Sequence, residues 1–129
     1  MLNWGCNMTV LANFINPSQL QTMLLLTNGD EGGWYVDKLL ELSRLIDDMY
    51  VPYGSEAHAD PIVTLHYFCN GGDWWVIEKD STPVQIQCFA YCDLGDPELG
   101  YVSIEELIAN GVELDLHWIP KPLSEVREV

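Results

Sequence analysis

Three strand-like runs lie close together in the second half of the chain: IVTLHYF at 62–68, DWWVIEKD at 73–80 and VQIQCFAYCDL at 84–94. Only Asn70-Gly71-Gly72 and Ser81-Thr82-Pro83 separate them. A parallel crossover needs about a dozen residues or more, so neighbours this close must run antiparallel. The spacing therefore predicts a meander. Within the third run Val84, Ile86, Cys88, Ala90 and Cys92 fall on one face, with Gln85 and Gln87 on the other. Trp74 and Trp75 are adjacent, so their side chains point to opposite faces of the sheet. If helices cover one face, the other tryptophan needs its own cover, and either packing of the tail or a partner surface would supply it.

The first half reads as helix. Asn16 fits an N-cap and Pro17 the first helical position. Gln19 stands at the capping-box position, Ile15 and Leu20 are placed as a hydrophobic staple, and Asn28-Gly29 is the stop. Val36, Leu39, Leu40, Leu42, Ile46 and Met49 recur near helical spacing, which predicts an amphipathic helix over 35–50. A loop then runs from 52 to 61. Further on, Ser103 and Glu106 form a capping box for a short helix at 103–110. DLGDPELGYVS, at 93–103, reads as the strand-to-helix turn leading into it. VELDLHWI at 112–119 alternates like a fourth, half-buried strand, and the proline-punctuated tail is expected to leave the sheet.

The expected fold is thus a single α+β domain over 1–129: N-terminal helices in 1–50, and an antiparallel meander of about four strands in 61–119 with one short helix between the last two. At 48% hydrophobic residues the chain can bury a core, so its acidity does not signal disorder.

Charge bounds the function. Twenty acids face five bases, a formal charge of -15, and Lys38, Arg44, Lys79, Lys121 and Arg127 are scattered singly. A phosphate backbone calls for a basic surface, so direct nucleic-acid binding is disfavoured and a basic protein partner is favoured. No apolar run is long enough to span a bilayer, and the first residues lack the basic and apolar regions of an export signal, so a cytoplasmic location with free thiols at Cys6, Cys69, Cys88 and Cys92 is expected.

Motifs for chemistry are sparse. Asp93, Asp96 and Glu98 could offer oxygen ligands to a divalent ion, but their spacing is not that of an EF-hand, and Gly95, Pro97 and Gly100 explain them as turn material. His66, His117, Cys69, Cys88 and Cys92 lack the close pairs typical of zinc sites, so only folding could bring them together around a metal. No phosphate-binding glycine loop, nucleophile elbow or catalytic cysteine signature occurs. Neither a cofactor nor a catalytic residue is predicted.

CDLGDPELGYVSIEEL at 92–107 and ELDLHWIPKPLS at 113–124 resemble the domain-of-unknown-function family 2958, small proteins of plasmids, phages and integrated elements. INPSQLQTMLLLTNG resembles its opening helix, and DPIVTLHYFCNGGDWWVIEKD its strand pair. The resemblance implies a fold and a mobile-element setting without a known reaction. Its signature positions would be Asp93, Glu98, Gly100, Tyr101, Asp115, His117, Lys121 and Pro122.

Two functions follow as expectations. One is a non-enzymatic inhibitor of a host nucleic-acid-binding defence complex, of anti-CRISPR or antirestriction type, that presents carboxylates where DNA would lie. Asp30, Glu31, Asp37, Glu41, Asp47 and Asp48 are the acids expected to carry it. The alternative is an accessory metal-dependent enzyme or metal-binding domain built on Asp93, Asp96 and Glu98, with His117.

Overall fold

A computed structural model describes residues 7–127, so Cys6 and its expected free thiol lie outside the described residues. The domain is α+β, as its residue pattern predicts. Its centre is a five-stranded antiparallel sheet in the order β5-β4-β3-β2-β6, formed by β2 (Leu65–Cys69), β3 (Gly72–Glu78), β4 (Cys88–Asp93), β5 (Glu98–Val102) and β6 (Glu113–Leu114). Cys69 pairs with Gly72 across a two-residue turn whose Gly71 has φ 89, a conformation that favours glycine.

Helices α1 (Met8–Ala12), α2 (Pro17–Leu26) and α3 (Gly32–Asp48) cover one face of this sheet. Leu11, Ile15, Met23, Leu39 and Ile46 pack with Leu65, Tyr67, Trp74, Val76 and Leu114 in one cluster. Tyr67 is fully buried and donates its hydroxyl to the Phe14 carbonyl, so the largest inward ring of β2 has both its apolar body and its polar tip accommodated. The link between α2 and α3 is tight. A Cβ at Gly32 would lie 2.1 Å from the Thr27 carbonyl oxygen.

The opposite face has a different cover. β1 (Ile62–Val63) pairs antiparallel with β7 (Lys121–Pro122), and α5 (Leu123–Arg127) follows directly. Val63, Ile77, Leu123 and Val126 form a second buried cluster, with Trp75, Tyr91 and Trp118 packed against it. Trp75 is thus covered by the tail. Ser124 clamps this segment by donating its backbone N–H and hydroxyl to Asp60, at 2.9 and 2.6 Å, and those bonds hold the Asp60 carboxyl below its usual range. The tail does leave the five-stranded sheet, as its proline punctuation predicts, but it packs back over that sheet's face: Pro122 sits on a short strand paired only with β1, where a missing donor is tolerated.

Three strand boundaries also differ from expectation. DLGDPELGYVS is mostly hairpin, because Glu98–Val102 form β5 paired with β4, and only Ser103 caps the helix α4 (Ile104–Ala109). The third run begins as a strand only at Cys88. Before it, Gln85 is buried, bonding to the Thr82 and Pro83 carbonyls and accepting the Asp80 N–H, while Asp80 accepts from the N–H groups of Gln87, Ser81 and Ile86. These donors, Gln87 foremost, lower the Asp80 pKa. A loop folded around its own side chains thus replaces the first part of the strand and leaves Val84 and Ile86 exposed. The fourth run shrinks to Glu113–Leu114, since Asp115 accepts the His117 N–H and turns the chain away.

The β6 edge is closed by a side chain. Gln19 donates to the Leu114 carbonyl and accepts the Leu114 N–H, both at 2.8 Å, reading the backbone as a neighbouring strand would. Asn16 caps α2 through the Gln19 N–H, as expected, and also holds the Val112 carbonyl at 3.0 Å. Gln19 therefore serves long-range docking instead of the expected capping box. Gln19→Met keeps the length but orphans both Leu114 groups, and should destabilise the fold by about 2 kcal/mol. Leu25→Ala, at a site 68% exposed, should change stability by less than about 0.5 kcal/mol. Urea denaturation of the two variants checks this contrast.

Candidate functional site

The acids singled out from sequence lie on the α2–α3 turn and along α3. Asp30, Glu31, Asp37, Asp47 and Asp48 are exposed, whereas Glu41 is engaged by Lys38 at 2.8 Å. Asp37, Glu41 and Asp48 fall on one side of the helix by their spacing, with Asp47 off that line. Bases interrupt the surface: Arg44 is exposed on α3, and Lys79 donates to the Ile46 and Asp47 carbonyls, where a cation complements the helix C-terminus. The helix carries an acidic face, but a partly neutralised one.

A second acidic region has no such interruption. From Asp80 to Pro120 the chain contains no Lys or Arg, yet it carries Asp80, Asp93, Asp96, Glu98, Glu105, Glu106, Glu113 and Asp115. Folding places Asp96 and Glu98 at the β4–β5 hairpin, and Glu105 and Glu106 just beyond the other end of β5, all four exposed. This cation-free run is visible in the sequence as a gap between Lys79 and Lys121, and it falls outside the acid-rich helix.

As a metal or catalytic loop the hairpin is poorly arranged. Asp93 accepts the Gly95 N–H at 2.9 Å and stabilises its own turn, where Gly95 has φ 121. Glu98 pairs with Cys92, so by strand alternation it projects on the face opposite Asp93. The three acids therefore do not converge.

The histidine and cysteine set is likewise dispersed. His66 and Cys88 project on opposite faces of the sheet, because Leu65 and Tyr67 share the core face with Cys88. Both His66 ring nitrogens are occupied: Nδ1 lies 2.9 Å from Asp115 Oδ2 and Nε2 lies 2.8 Å from Asp73 Oδ1. The ring stacks on Trp75 at 5.1 Å and 12°, with Trp118 5.4 Å away. With no free ring nitrogen His66 cannot act as a base or ligand without leaving this bracket, and the bracket instead ties β2, β3 and the segment after β6 together. His117 lies elsewhere, its ring 5.9 Å from Trp34. Among the described residues no three His, Cys, Asp or Glu side chains are grouped to hold a metal ion.

The family-type positions divide in the same way. Gly100 and Tyr101 lie in β5, with Tyr101 exposed on the outer face beside Phe89. Lys121 and Pro122 form β7, and the Lys121 ammonium lies 4.7 Å from the Trp118 ring centroid. Asp115 serves His66, and Arg127 covers Tyr91 at 5.2 Å. Asp115 and Lys121 both line a small cavity of about 220 Å³, together with His66, Trp75, Trp118 and Glu125.

One acid, Glu78, is buried without any local sequence signal. Glu78 is 5% exposed and accepts the Tyr53 N–H, the Ser55 N–H and the Ser55 hydroxyl. It pins a turn in which Tyr53 adopts φ 66, a left-handed conformation costly for a side chain of this size. No sequence motif announces it, since its donors lie more than twenty residues upstream.

The described thiols differ in access. Burial pushes the Cys88 pKa up to about 11 and raises that of Cys92, whereas Cys69 is exposed. No helix among the described residues is long and apolar enough to cross a membrane. Comparisons with protein-family models, with curated proteins and with solved structures find no match for this chain, and the family resemblance has no support beyond its quoted residues. In a Cys6→Ser background, a thiol-reactive dye at neutral pH should label Cys69 promptly and Cys88 only on unfolding. Mass spectrometry of the labelled peptides gives the order.

Proposed function

We propose that this chain is a small, non-enzymatic, acidic binding protein that occupies the basic nucleic-acid-binding surface of a partner protein. In its most specific form it is a mobile-element inhibitor of a host defence complex, of anti-CRISPR or antirestriction type. The observation that carries the reading is the disposition of the -15 charge: five of the six acids on the α2–α3 turn and α3 face solvent, and the hairpin and α4 add four more exposed carboxylates. A folded acidic surface of this kind steers toward a basic groove and competes there with phosphate.

The neutralised portion of α3 limits how closely the helix imitates a phosphate backbone, which carries about one charge per 1.7 Å of duplex axis. Lys38 and Arg44 interrupt the helix, so the reading requires acids beyond α3 to contribute. The alternative of a metal-dependent enzyme draws no support from the loop that suggested it, whose acids serve the hairpin turn and opposite faces.

The test is a panel of purified restriction and CRISPR effector complexes, assayed for DNA binding with and without the chain. A complex in the panel should lose DNA binding. A variant with Asp30, Asp37, Asp47 and Asp48 changed to Asn and Glu31 to Gln should inhibit at least about tenfold less well. All five positions are exposed, so the variant should keep its fold by circular dichroism. Inhibition unchanged by the five substitutions would remove α3 from the account.

A further inference from the structure

The two edges of the main sheet are treated differently. At β6 the edge is closed, because Gln19 satisfies the Leu114 N–H and carbonyl. At β5 it is open: the strand is terminal in the sheet order, and among the described residues its only backbone partners are those of β4. An unpaired edge is a template for another strand, and proteins commonly protect it with lysine, proline, a bulge or a covering element. β5 has none of these. Its residues are Glu98, Leu99, Gly100, Tyr101 and Val102, in regular register with β4 from Cys88↔Val102 to Cys92↔Glu98, and Pro97 lies before the strand. Leu99 and Tyr101, 40% and 60% exposed, alternate on the outer face beside Tyr91 and Phe89.

We propose that the open edge of β5 is a strand-addition site for a basic extended segment of the partner protein. This rests on the proposed binding of a basic partner and names the surface that reads it. Charge selects the occupant. Asp96 and Glu98 flank one end of the edge and Glu105 and Glu106 the other, in a stretch without any Lys or Arg. A second copy of the chain would bring a further -15 to the same acidic edge, which opposes self-pairing, whereas a strand bearing Lys or Arg meets opposite charge at both ends. Main-chain hydrogen bonds would supply affinity, and apolar side chains alternating with the basic ones would lie over Leu99 and Tyr101 on the outer face.

The probe is an acetylated eight-residue peptide alternating valine and lysine, with a twin N-methylated on alternate amides of one edge. The twin keeps the charge and removes the donors. Amide hydrogen exchange of the full chain, followed by nuclear magnetic resonance, should show amides of Glu98–Val102 slowed at least about tenfold by the first peptide and unprotected by the second. Leu99→Lys with Tyr101→Lys, both at exposed positions, should abolish the protection, while the α3 variant with its five neutralised acids should keep it. Absence of protection, or equal effects of the two peptides, overturns strand addition. Perturbation confined to α3 would overturn it too while leaving the acidic-binder reading standing, and protection that grows with protein concentration alone would assign the edge to a second copy instead.

Discussion

Adjacent side chains on a strand point to opposite faces, and β3 places Trp74 and Trp75 side by side. Both faces of the sheet must therefore be covered, and the rest of the architecture follows from how. Trp74 joins the core built by α1, α2 and α3, while Trp75 lies under the two-stranded β1–β7 sheet and α5. The second cover is slight, two residue pairs and a five-residue helix, so it depends on point attachments. Asp60 holds Ser124, the Trp118 indole donates to the Val63 carbonyl at 3.2 Å, and His66 bridges Asp73 and Asp115. The apolar requirement of one tryptophan thus accounts for an otherwise odd excursion of the tail.

Polar side chains with several hydrogen bonds complete what the sheet leaves undone. Gln19 stands in for a missing strand, Gln85 organises the loop before β4, and Glu78 fixes the turn at Tyr53. Each is buried or half-buried with partners for its polar atoms, the condition under which such groups stabilise a fold. Several of the chain's acids are likewise engaged in holding the fold. Asp80 serves its own loop, Asp93 its own turn, and Asp73 and Asp115 share a histidine.

Local signals account for the parts of the fold legible in the sequence. The caps at Asn16 and Ser103, the Asn-Gly turn and the apolar spacing of α3 are written in neighbouring residues and appear where expected. What escaped depends on distant partners. Gln85 and Glu78 look like surface residues until the segments that bond them are in place, and β5 hides behind turn residues that also begin a hairpin. The exposed acids of α3 and the Lys38–Glu41 pair among them are legible from helical period, but the further dilution by Lys79 is not, since Lys79 arrives from the sheet. The open β5 edge could not be read at all, because an edge is defined by what fails to pack beside it.

On the proposed binding role, two acidic surfaces, one helical and one along a strand edge, would give a basic partner two ways to engage the same charge. The helix would meet a groove through long-range field, and the edge would add main-chain bonds that field alone does not provide. If this charge takes the place of nucleic acid on a basic protein, the chain and DNA cannot occupy one effector complex together. Differently labelled chain and DNA, mixed with the complex across a salt series, should exclude one another, with affinity of the chain for the complex falling as salt rises. A stable ternary complex, or binding indifferent to salt, rules out replacement of nucleic acid by this charge.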